Sequence, residues 1–507
     1  MIASFVIPLS IYAATVTSAP ASWDTAEMQG VPYILGIPHP TGFPLFVFLG
    51  YLWTHLLPFG TVALRMNLFS AAAVSASCLA LYLAAQELKV PKTCALFAAL
   101  WFCFARPVWV HAARAEVHDV ALALSTFALV FLLRWLGRAN ARDMRVACLL
   151  LGLALATHPL AIWLAPAFAI AVLLHWPVLK ETFTLALYAL APLTFYIYLP
   201  LRSALVNVQH LDPARRLAGV DGGLFWNYNN PSSWHGLIEE VSGSQFSAGH
   251  AAFSAWNAAT VQPDVWNLLT SLNEAFGAFA IVFAFAGLAR LWTLDWRKTL
   301  IVLVAGLAIV PFSYSYGVEG DADRYRMICF WAFCLFMSGA AAHAAWDVRW
   351  KYNVRVVVTA SLLLLWGGET MWNNRATFNN RYDSAGNGLL GLAAQHIPKR
   401  TIVVTDWVDA TTLAYGAFVD HSFAGRIVVA GWFGEYTHDY TSWLRVRPVY
   451  LLGATALSTI PGVRIIDLGE IGGGHHLWQL KRGSTSKRAS LLQTPAVRTS
   501  RKGSRAR

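Results

Sequence analysis

Residues 62–87 read VALRMNLFSAAAVSASCLALYLAAQE, an apolar run in which only Arg65 and Glu87 carry charge. A helix of about 20 mostly apolar residues is long enough to cross a bilayer. Further apolar runs lie on both sides of this one, at 2–18, 93–106, 119–136, 146–158, 160–175, 181–199, 274–292, 299–316, 327–346 and 354–367. Together the runs predict a mainly α-helical, multi-pass membrane protein with about eleven spans.

The composition of the chain supports a membrane protein. Of its 507 residues, 57% are hydrophobic and 13% are charged, and the mean hydropathy is +0.49. Soluble globular domains carry about 25% charged residues. These values exclude a disordered chain and argue against a soluble enzyme. The six cysteines all lie in apolar runs, without the spacing of a disulfide framework or a metal site.

The net charge of +11 is first a signal of membrane orientation. With the N-terminus in the cytoplasm, Lys and Arg concentrate in the cytoplasmic loops. The short outside loops then hold only Arg106, Arg114, Arg324 and Arg326. The charge distribution therefore favours this orientation over its inverse.

Two segments near the N-terminus are open to more than one interpretation. Residues 2–18 form either a short first span or a signal peptide cleaved near Ala21, and the missing basic n-region favours the span. Residues 45–57 lie between Pro44 and Pro58, a length that suits a helix on the membrane surface.

The outside segments divide the chain. We expect a membrane domain over 1–367 with an outside loop at 201–273, an extracytoplasmic α/β domain over 368–482 and a basic disordered tail over 483–507. In the α/β domain, a helix is predicted at 384–396. Strands are predicted at 401–406, 426–430, 448–452 and 463–468, with helical patterns between the first three that favour parallel pairing.

The first outside loop contains Trp23-Asp24-Thr25-Ala26-Glu27 and no Lys or Arg to pair with its carboxylates. One interpretation is a capping box, in which Asp24 caps a short helix and Glu27 follows at its third position. The other is a general base at the mouth of the membrane. His39, in the Pro- and Gly-containing turn that follows, would bind a phosphate or hydrogen-bond the turn.

The second outside loop ends with Glu116 and His118 at the start of a span. Such charged groups either cap a solvated helix or line a cavity. A metal site built from Asp24, Glu116 and His118 is a further alternative, although the spacing is not diagnostic. The residues predict no cofactor.

Three other polar residues interrupt or flank apolar runs. His158 is either a packing residue at a break before Pro159 or a ligand-binding group. Arg202 follows a span and would anchor the interface or contact an anionic headgroup. Arg324 lies in Asp321-Ala322-Asp323-Arg324-Tyr325-Arg326, where most charges should pair and a remaining arginine would clamp a phosphate.

The order of these motifs resembles the GT-C glycosyltransferases and, more narrowly, the transmembrane protein 260-type O-mannosyltransferase family. The matching stretches are DTAE at 24–27, HPTGFPLF at 39–46, RMNLFS at 65–70, AEVH at 115–118, THPL at 157–160, YLPLRS at 198–203 and NPSSW at 230–234. The resemblance covers the chain to about residue 250. It departs from the family pattern at Thr25-Ala26, where Gly is usual, and at Phe43 and His118, where Tyr is usual.

The resemblance implies an inverting transferase that moves a mannose-like sugar from a polyprenyl-phosphate carrier to a protein hydroxyl or glycan outside the cytoplasm. It implies that Asp24 is the base, assisted by Glu27 and Glu116. Arg114, Arg202 and Arg324 are then the candidate phosphate ligands, with His39, His118 and His158 as further substrate-binding residues.

Two other classes of protein remain open at this stage. A transporter or flippase would place ionisable residues near the middle of the membrane, where His158 is the one candidate. An assembly subunit would use its C-terminal domain to bind another protein. We expect the partners to be a lipid-linked sugar, an extracytoplasmic acceptor and the bilayer, without nucleic acid, and the location to be a bacterial inner membrane.

Overall fold

The computed structural model describes residues 1–175, 181–246, 258–315, 322–343, 349–454 and 459–483, and this part of the chain is mainly helical. The predicted tail and Asp321 lie outside the described residues. The α-helices are α1 Ala3–Thr15, α2 Trp23–Ile34, α3 Pro44–Leu56, α4 Val62–Glu87, α5 Lys92–Phe104, α6 Arg106–Ala112, α7 Val117–Arg138, α8 Ala141–Thr157, α9 Ala165–Leu174, α10 Thr182–Leu190, α11 Tyr198–Gln209, α12 Trp234–Ser242, α13 Ala258–Phe276, α14 Ala278–Leu307, α15 Val310–Ser315, α16 Met327–Gly339, α17 Arg349–Asn374, α18 Ala385–His396, α19 Trp407–Phe418 and α20 Tyr440–Trp443. Short 3-10 helices cover Pro159–Leu164, Ala191–Ile197, Pro213–Arg216, Ser244–Phe246 and Ala322–Arg326.

Several of these helices are suited to a membrane. Within the described residues, five helical segments have the length and hydropathy to cross a bilayer: Val62–Glu87, Val117–Arg138, Phe183–Gln209, Ala278–Tyr314 and Arg349–Asn374. The count rises to six if the bent pair α5–α6 is one span. Shorter apolar helices cover Ala3–Thr15, Pro44–Leu56 and Pro159–Leu174. The chain is thus an integral membrane protein, and the number of eleven spans stays a prediction.

The segment expected to be the second outside loop is partly helical, which corrects the prediction. Residues Arg106–Ala112 form α6, which is bent by 70° from α5. Pro107 lies in the first turn of α6, where a missing N–H leaves no intrahelical bond unmade. Residues 113–116 connect α6 to α7, and Glu116 lies immediately before α7.

The helical path is broken at His158. Helix α8 ends at Thr157, and His158 has an extended backbone with φ −151° and ψ 126°. Its Nδ1 accepts a hydrogen bond of 3.2 Å from the backbone N–H of Leu160. The two apolar runs on either side of His158 are therefore separate elements, and the histidine lies at the junction.

The C-terminal part contains one five-stranded sheet in the order β2-β1-β3-β5-β4. Its strands are β1 Ile402–Thr405, β2 Ile427–Ala430, β3 Val449–Gly453, β4 Val463–Gly472 and β5 His475–Arg482. Strand β1 pairs in parallel with β2 and β3, as the sequence predicted. The predictions missed β5, which pairs antiparallel with β3 and β4. The run Gly472-Gly473-Gly474, with positive φ throughout, connects β4 to β5 as a hairpin. Such a glycine run is the sequence signal from which this hairpin could have been predicted.

Helix α19 lies between one face of the sheet and helix α2. Val31 of α2 and Ala63 of α4 share a buried cluster with Val403 of β1 and Leu413 of α19. Thr412 of α19 also donates a 2.8 Å hydrogen bond to the carbonyl of Ala21, just before α2. The sheet and its helices thus lie against the segment that carries Asp24 and Glu27.

Candidate active site

Helix α2 brings Asp24 to the site in an arrangement that differs from the predicted capping box. The N-cap position is Ser22, and Asp24 lies in the first turn of the helix. Asp24 Oδ2 lies 3.3 Å from Nη1 of Arg324, and its Oδ1 accepts a 2.8 Å hydrogen bond from Nε1 of Trp407. The predicted capping box is wrong, because the Asp24 carboxylate binds Arg324 and Trp407, which are distant in sequence.

The charges around Asp24 favour its ionised form. Burial by itself raises the pKa of this carboxyl group. The His39 and Arg324 cations and the Trp407 N–H outweigh that effect, so its pKa lies below its ordinary value. Asp24 therefore carries a negative charge at neutral pH, as a general base must before it accepts a proton.

Glu27 lies one turn further along α2 and is completely buried. Its Oε1 accepts a 2.9 Å hydrogen bond from the backbone N–H of His39, and its Oε2 bonds to Nδ1 of the same residue. Burial alone lowers the pKa of His39, but Glu27, followed by Asp24, outweighs it and raises the pKa to about 9. The expectation that the loop offers its carboxylates no basic partner was wrong for Glu27, which pairs with His39 of the same loop, and Asp24 has Arg324 as its partner from another loop.

A tight turn holds His39 beside the cavity. The N–H of Gly42 donates a 3.1 Å hydrogen bond to the carbonyl of His39, and Gly42 has φ +74°, a value that favours glycine. Pro44 then begins α3. The ring of Phe43 stacks on His158 with centroids 5.3 Å apart. The predicted rigid turn is therefore present, and it links His39 to His158 through one aromatic ring.

Glu116 is the N-cap of α7 and is buried rather than solvated. Its Oε1 lies 2.8 Å from Nδ1 of His118, and its Oε2 lies 3.9 Å from Nη1 of Arg324. Ser70 of α4 accepts a 2.8 Å hydrogen bond from the Glu116 N–H and thereby fixes the backbone. Burial raises the pKa of Glu116, but His118, Arg324 and Arg114 hold it well below its usual range.

Arg324 joins the two acidic loops. In the 3-10 helix Ala322–Arg326, the guanidinium of Arg326 lies 2.5 Å from Asp323 and pairs with it. Arg324 points instead towards Asp24 and Glu116. The sequence-based expectation that an arginine of this loop would clamp a phosphate stays a prediction, and Arg324 is the arginine that does not pair within the loop.

These groups line a cavity of about 390 Å³, here called the main cavity. Its wall includes Trp23, Asp24, Met28, His39, Pro40, Thr41, Phe43, Glu116, Val117, His118, His158, Pro159, Leu160, Tyr228, Val241, Ser242, Gly243, Gln245, Phe246, Phe312, Arg324, Tyr325 and Trp407. Such a volume is suited to a small ligand. The rings of His118 and His158 lie 4.2 Å apart at this wall.

Two further openings adjoin the same residues. An apolar cleft shares His118, His158 and Arg324 with the main cavity and continues between Leu122, Leu164, Ile309 and Ile328. A polar cavity of about 500 Å³ includes Gln29, Asn67, Arg114, Asn380 and Asp383, and it shares the walls formed by Trp23, Asp24, Glu116 and Arg324. The carboxylates of Asp24 and Glu116 thus lie between two spaces of different polarity.

Two predicted residues have other surroundings. Arg202 donates hydrogen bonds to the carbonyls of Leu35, at 2.5 Å, and Ile34, at 3.1 Å, and so binds the carboxyl end of α2. Arg114 lines the polar cavity, with its Nη2 3.0 Å from Nδ1 of His111. Trp407, which follows β1 by two residues, was not predicted as a site residue, because no local pattern signals its contact with Asp24.

The alternative of a metal site does not fit this geometry. In the described part of the chain, no group of three or more His, Cys, Asp or Glu side chains is arranged to hold a metal ion. The guanidinium of Arg324 already lies between Asp24 and Glu116, within 4 Å of both. We therefore derive no catalytic step that passes through a metal.

The architecture matches solved structures of GT-C proteins. ArnT from Cupriavidus metallidurans, solved bound to undecaprenyl phosphate, is similar with a TM-score of 0.52 and 12% identity, over 94% of this chain and 97% of that one. The Archaeoglobus fulgidus oligosaccharyltransferase, solved with Zn and sulfate, has a TM-score of 0.50 and 15% identity, over 88% and 67%. At these identities the likeness shows the fold alone, and the predicted GT-C-like fold is confirmed.

The sequence comparisons point to one family of protein O-mannosyl-transferases for the N-terminal segment. Residues 24–181 match the family model described as the protein O-mannosyl-transferase TMEM260 N-terminal domain. The tmem260 protein O-mannosyl-transferase of Dictyostelium discoideum is 30% identical over 112 residues, 22% of this chain and 14% of that protein. Its Mus musculus counterpart is 29% identical over 119 residues, 24% and 17%. The predicted resemblance is confirmed over this N-terminal segment, and the matches span under a fifth of each relative.

Proposed function

We propose that the protein is a membrane glycosyltransferase that moves a mannose-like sugar from a polyprenyl-phosphate carrier to an acceptor hydroxyl, with Asp24 as the base. The acceptor is a Ser or Thr hydroxyl of an extracytoplasmic protein. One observation carries the proposal. An ionised carboxylate lies at the wall of a cavity, next to an arginine, in a chain with the GT-C fold.

The reaction is a single displacement at the anomeric carbon. The acceptor oxygen forms the new glycosidic bond, its proton passes to Asp24, and the bond between the anomeric carbon and the phosphate oxygen breaks. Polyprenyl phosphate leaves, and the configuration inverts. Glu116 would stabilise the positive charge that develops on the sugar. Glu27 is buried behind His39 and is assigned a positioning role.

Cationic and donor groups for the leaving phosphate line the main cavity. Arg324 carries a fixed charge, and His39 is protonated at neutral pH because its pKa is about 9. His118 and His158 offer imidazole groups at the same wall. Arg202 would act indirectly, by holding the end of α2, and Arg114 would act from the polar cavity.

The apolar cleft supports a lipid-linked donor. It begins at His118, His158 and Arg324, the groups that would bind the phosphate. It continues between aliphatic side chains of α7, the 3-10 helix Pro159–Leu164, α14 and α16. An isoprenoid chain from the bilayer would find similarly apolar surroundings there. A phosphate at the entrance and a hydrocarbon chain in the cleft are the two halves of a polyprenyl phosphate.

The polar cavity on the other side of Asp24 would admit the acceptor. Its lining of amides, carboxylates and Arg114 suits hydroxyl and peptide groups. We propose further that the site and the sheet face the outside of a bacterial inner membrane, with 368–482 as an extracytoplasmic domain. The charge bias of the loops supports this orientation.

The test is sugar transfer from a radiolabelled polyprenyl-phosphate mannose in membranes that contain the wild type or Asp24→Asn. We expect the substitution to lower the transfer rate by about 10² to 10⁴-fold, as for loss of a general base. Asp420→Asn is the matched control, because Asp420 is exposed and forms only a local turn with Ser422. Transfer by Asp24→Asn at the control's rate would remove Asp24 as the base.

A further inference from the structure

The structure brings a tryptophan from the C-terminal sheet to the proposed base. Trp407 is the first residue of α19, immediately after the N-cap Asp406, which follows β1. Its indole Nε1 donates a 2.8 Å hydrogen bond to Oδ1 of Asp24, 383 residues earlier in the chain. Asp24 Oδ2 lies against Arg324, so each carboxylate oxygen has a different partner.

Trp407 is itself held on several sides. Its ring makes edge-on contacts with His39, with centroids 5.7 Å apart, and with Tyr228, at 6.0 Å. Asp406 caps α19 by accepting a 3.1 Å hydrogen bond from the N–H of Asp409. Helix α19 is fixed on the membrane helices by Thr412 and by the 3.0 Å hydrogen bond between Tyr415 Oη and the Ala63 N–H. The indole N–H therefore has little freedom to leave the carboxylate.

We propose that Trp407 is a positioning residue that fixes the orientation of the Asp24 carboxylate, so that helix α19 completes the active site. A single bond to Arg324 would leave the carboxylate free to rotate about its Cβ–Cγ bond. The second bond, from a rigid indole, restricts that rotation and holds the remaining lone pairs towards the cavity. This inference rests on the proposed role of Asp24 as base.

The experiment compares the pH dependence of sugar transfer in the full-length protein, in wild type and in Trp407→Phe. Phenylalanine keeps an aromatic ring but cannot donate a hydrogen bond. We expect kcat to fall about tenfold to hundredfold, with KM for the lipid-linked donor unchanged. The acidic limb of the pH profile should move to higher pH, because the pKa of Asp24 rises when a donor to its carboxylate is lost.

A second variant separates the N–H from the shape of the ring. In Trp407→3-benzothienylalanine, sulfur replaces the indole N–H and the ring keeps its size, so the fold is retained even if phenylalanine destabilises it. The same loss of kcat and shift of the acidic limb are expected. Trp432→Phe is the control, since Trp432 follows the neighbouring strand β2 and its side chain is 78% exposed.

The outcomes distinguish this inference from the proposed function. If the benzothienyl variant keeps the wild-type kcat and pH profile while Asp24→Asn is inactive, the positioning role is overturned and the base stands. If Asp24→Asn itself retains full transfer, Asp24 is not the base, and the positioning role of Trp407 is overturned with it. A shift of the acidic limb in both Trp407 variants, absent in Trp432→Phe, supports the inference.

Discussion

Asp24 and Glu27 lie three residues apart on α2 but in opposite surroundings. Asp24 lies at the wall between the main and polar cavities, with a side chain 24% exposed and partners from two distant segments. Glu27 has no exposed surface, and within the part of the chain that the structure describes its side chain hydrogen-bonds to His39 alone, twelve residues away. The two carboxylates therefore divide the site into a cavity side, which can contact substrate, and a sealed side, which supports it.

This difference shows that the partners of a carboxylate, rather than its position in a motif, determine its role. Both groups have a cation close by. Only Asp24 combines that cation with access to a cavity. Removal of a group on the sealed side should thus lower stability, whereas removal on the cavity side should lower the rate of transfer.

The largest expected effect is on the sealed side. Glu27→Ala should lower the free energy of unfolding by about 3–5 kcal/mol, because it leaves a buried histidine without its anionic partner. It also removes the acceptor for the His39 N–H. The measurement is SDS-induced unfolding of the detergent-solubilised protein, with the exposed Glu470→Ala as control. Equal stability of the two variants would contradict the structural role assigned to the Glu27–His39 pair.

On the cavity side, Arg324→Gln should lower the rate of sugar transfer about 10² to 10³-fold, the cost of one electrostatic contact in a transition state. The acidic limb of the pH profile should also move upward, since Arg324 lowers the pKa of both Asp24 and Glu116. Arg326→Gln, whose guanidinium binds Asp323, should change the rate much less per folded molecule. The same loss in both variants would show that the effect comes from the fold of this loop.

The pH dependence of the unfolding temperature distinguishes the Glu27–His39 pair from the carboxylates at the cavity wall without a kinetic measurement. The pKa of His39 rises from 6.5 to about 9, which corresponds to about 3 kcal/mol in favour of the imidazolium. Because the folded-state pKa is the higher one, this stabilisation is complete below pH 6.5 and is lost as the pH rises through about 9. Thermal unfolding in detergent should therefore occur at lower temperature at pH 9.5 than at pH 6.5.

The variant His39→Asn tests the assignment of this titration. It should flatten the alkaline limb of the stability profile. The acidic limb should weaken but persist, because His39 helps to lower the pKa of Asp24, whereas the pKa of Glu116 is lowered by His118, Arg324 and Arg114. On that limb the depressed pKa values of Asp24 and Glu116 act in the opposite direction. The stabilisation they provide is present above their ordinary pKa values and is lost as the pH falls through the depressed ones. An unchanged alkaline limb would show that another group titrates there.

The sequence predicted the cavity side better than the sealed side. Hydropathy and the order of motifs were enough for the GT-C fold and for the acidic loops that meet at Arg324. Local spacing suggested a capping box for Asp24, because spacing cannot reveal a partner 300 residues away. It also left Glu27 without a partner, since the Glu27–His39 pair depends on how the turn at 39–43 folds back on α2.

The contribution of the sheet was the least predictable part. The strands β1 and β2 have β-branched runs and β3 is a short apolar run, and their parallel pairing followed from the helical patterns between them. The packing of α19 on α2, which brings Trp407 to Asp24, depends on contacts between segments almost 400 residues apart. Such contacts arise from complementary surfaces, which a single sequence does not encode in any local pattern.

The smallest expected effect concerns how α19 is anchored beside both carboxylates. The N–H of Ala63 is one of the first amides of α4, which have no partner within the helix, and Tyr415 Oη accepts its hydrogen bond. Tyr415→Phe leaves this buried N–H unsatisfied and should lower the free energy of unfolding by about 1–3 kcal/mol. Because Tyr415 lies two turns beyond Trp407 on α19, the pH profile of transfer should keep its acidic limb. A shift of that limb in Tyr415→Phe would show that the position of the whole helix, rather than the Trp407 N–H alone, sets the ionisation of Asp24.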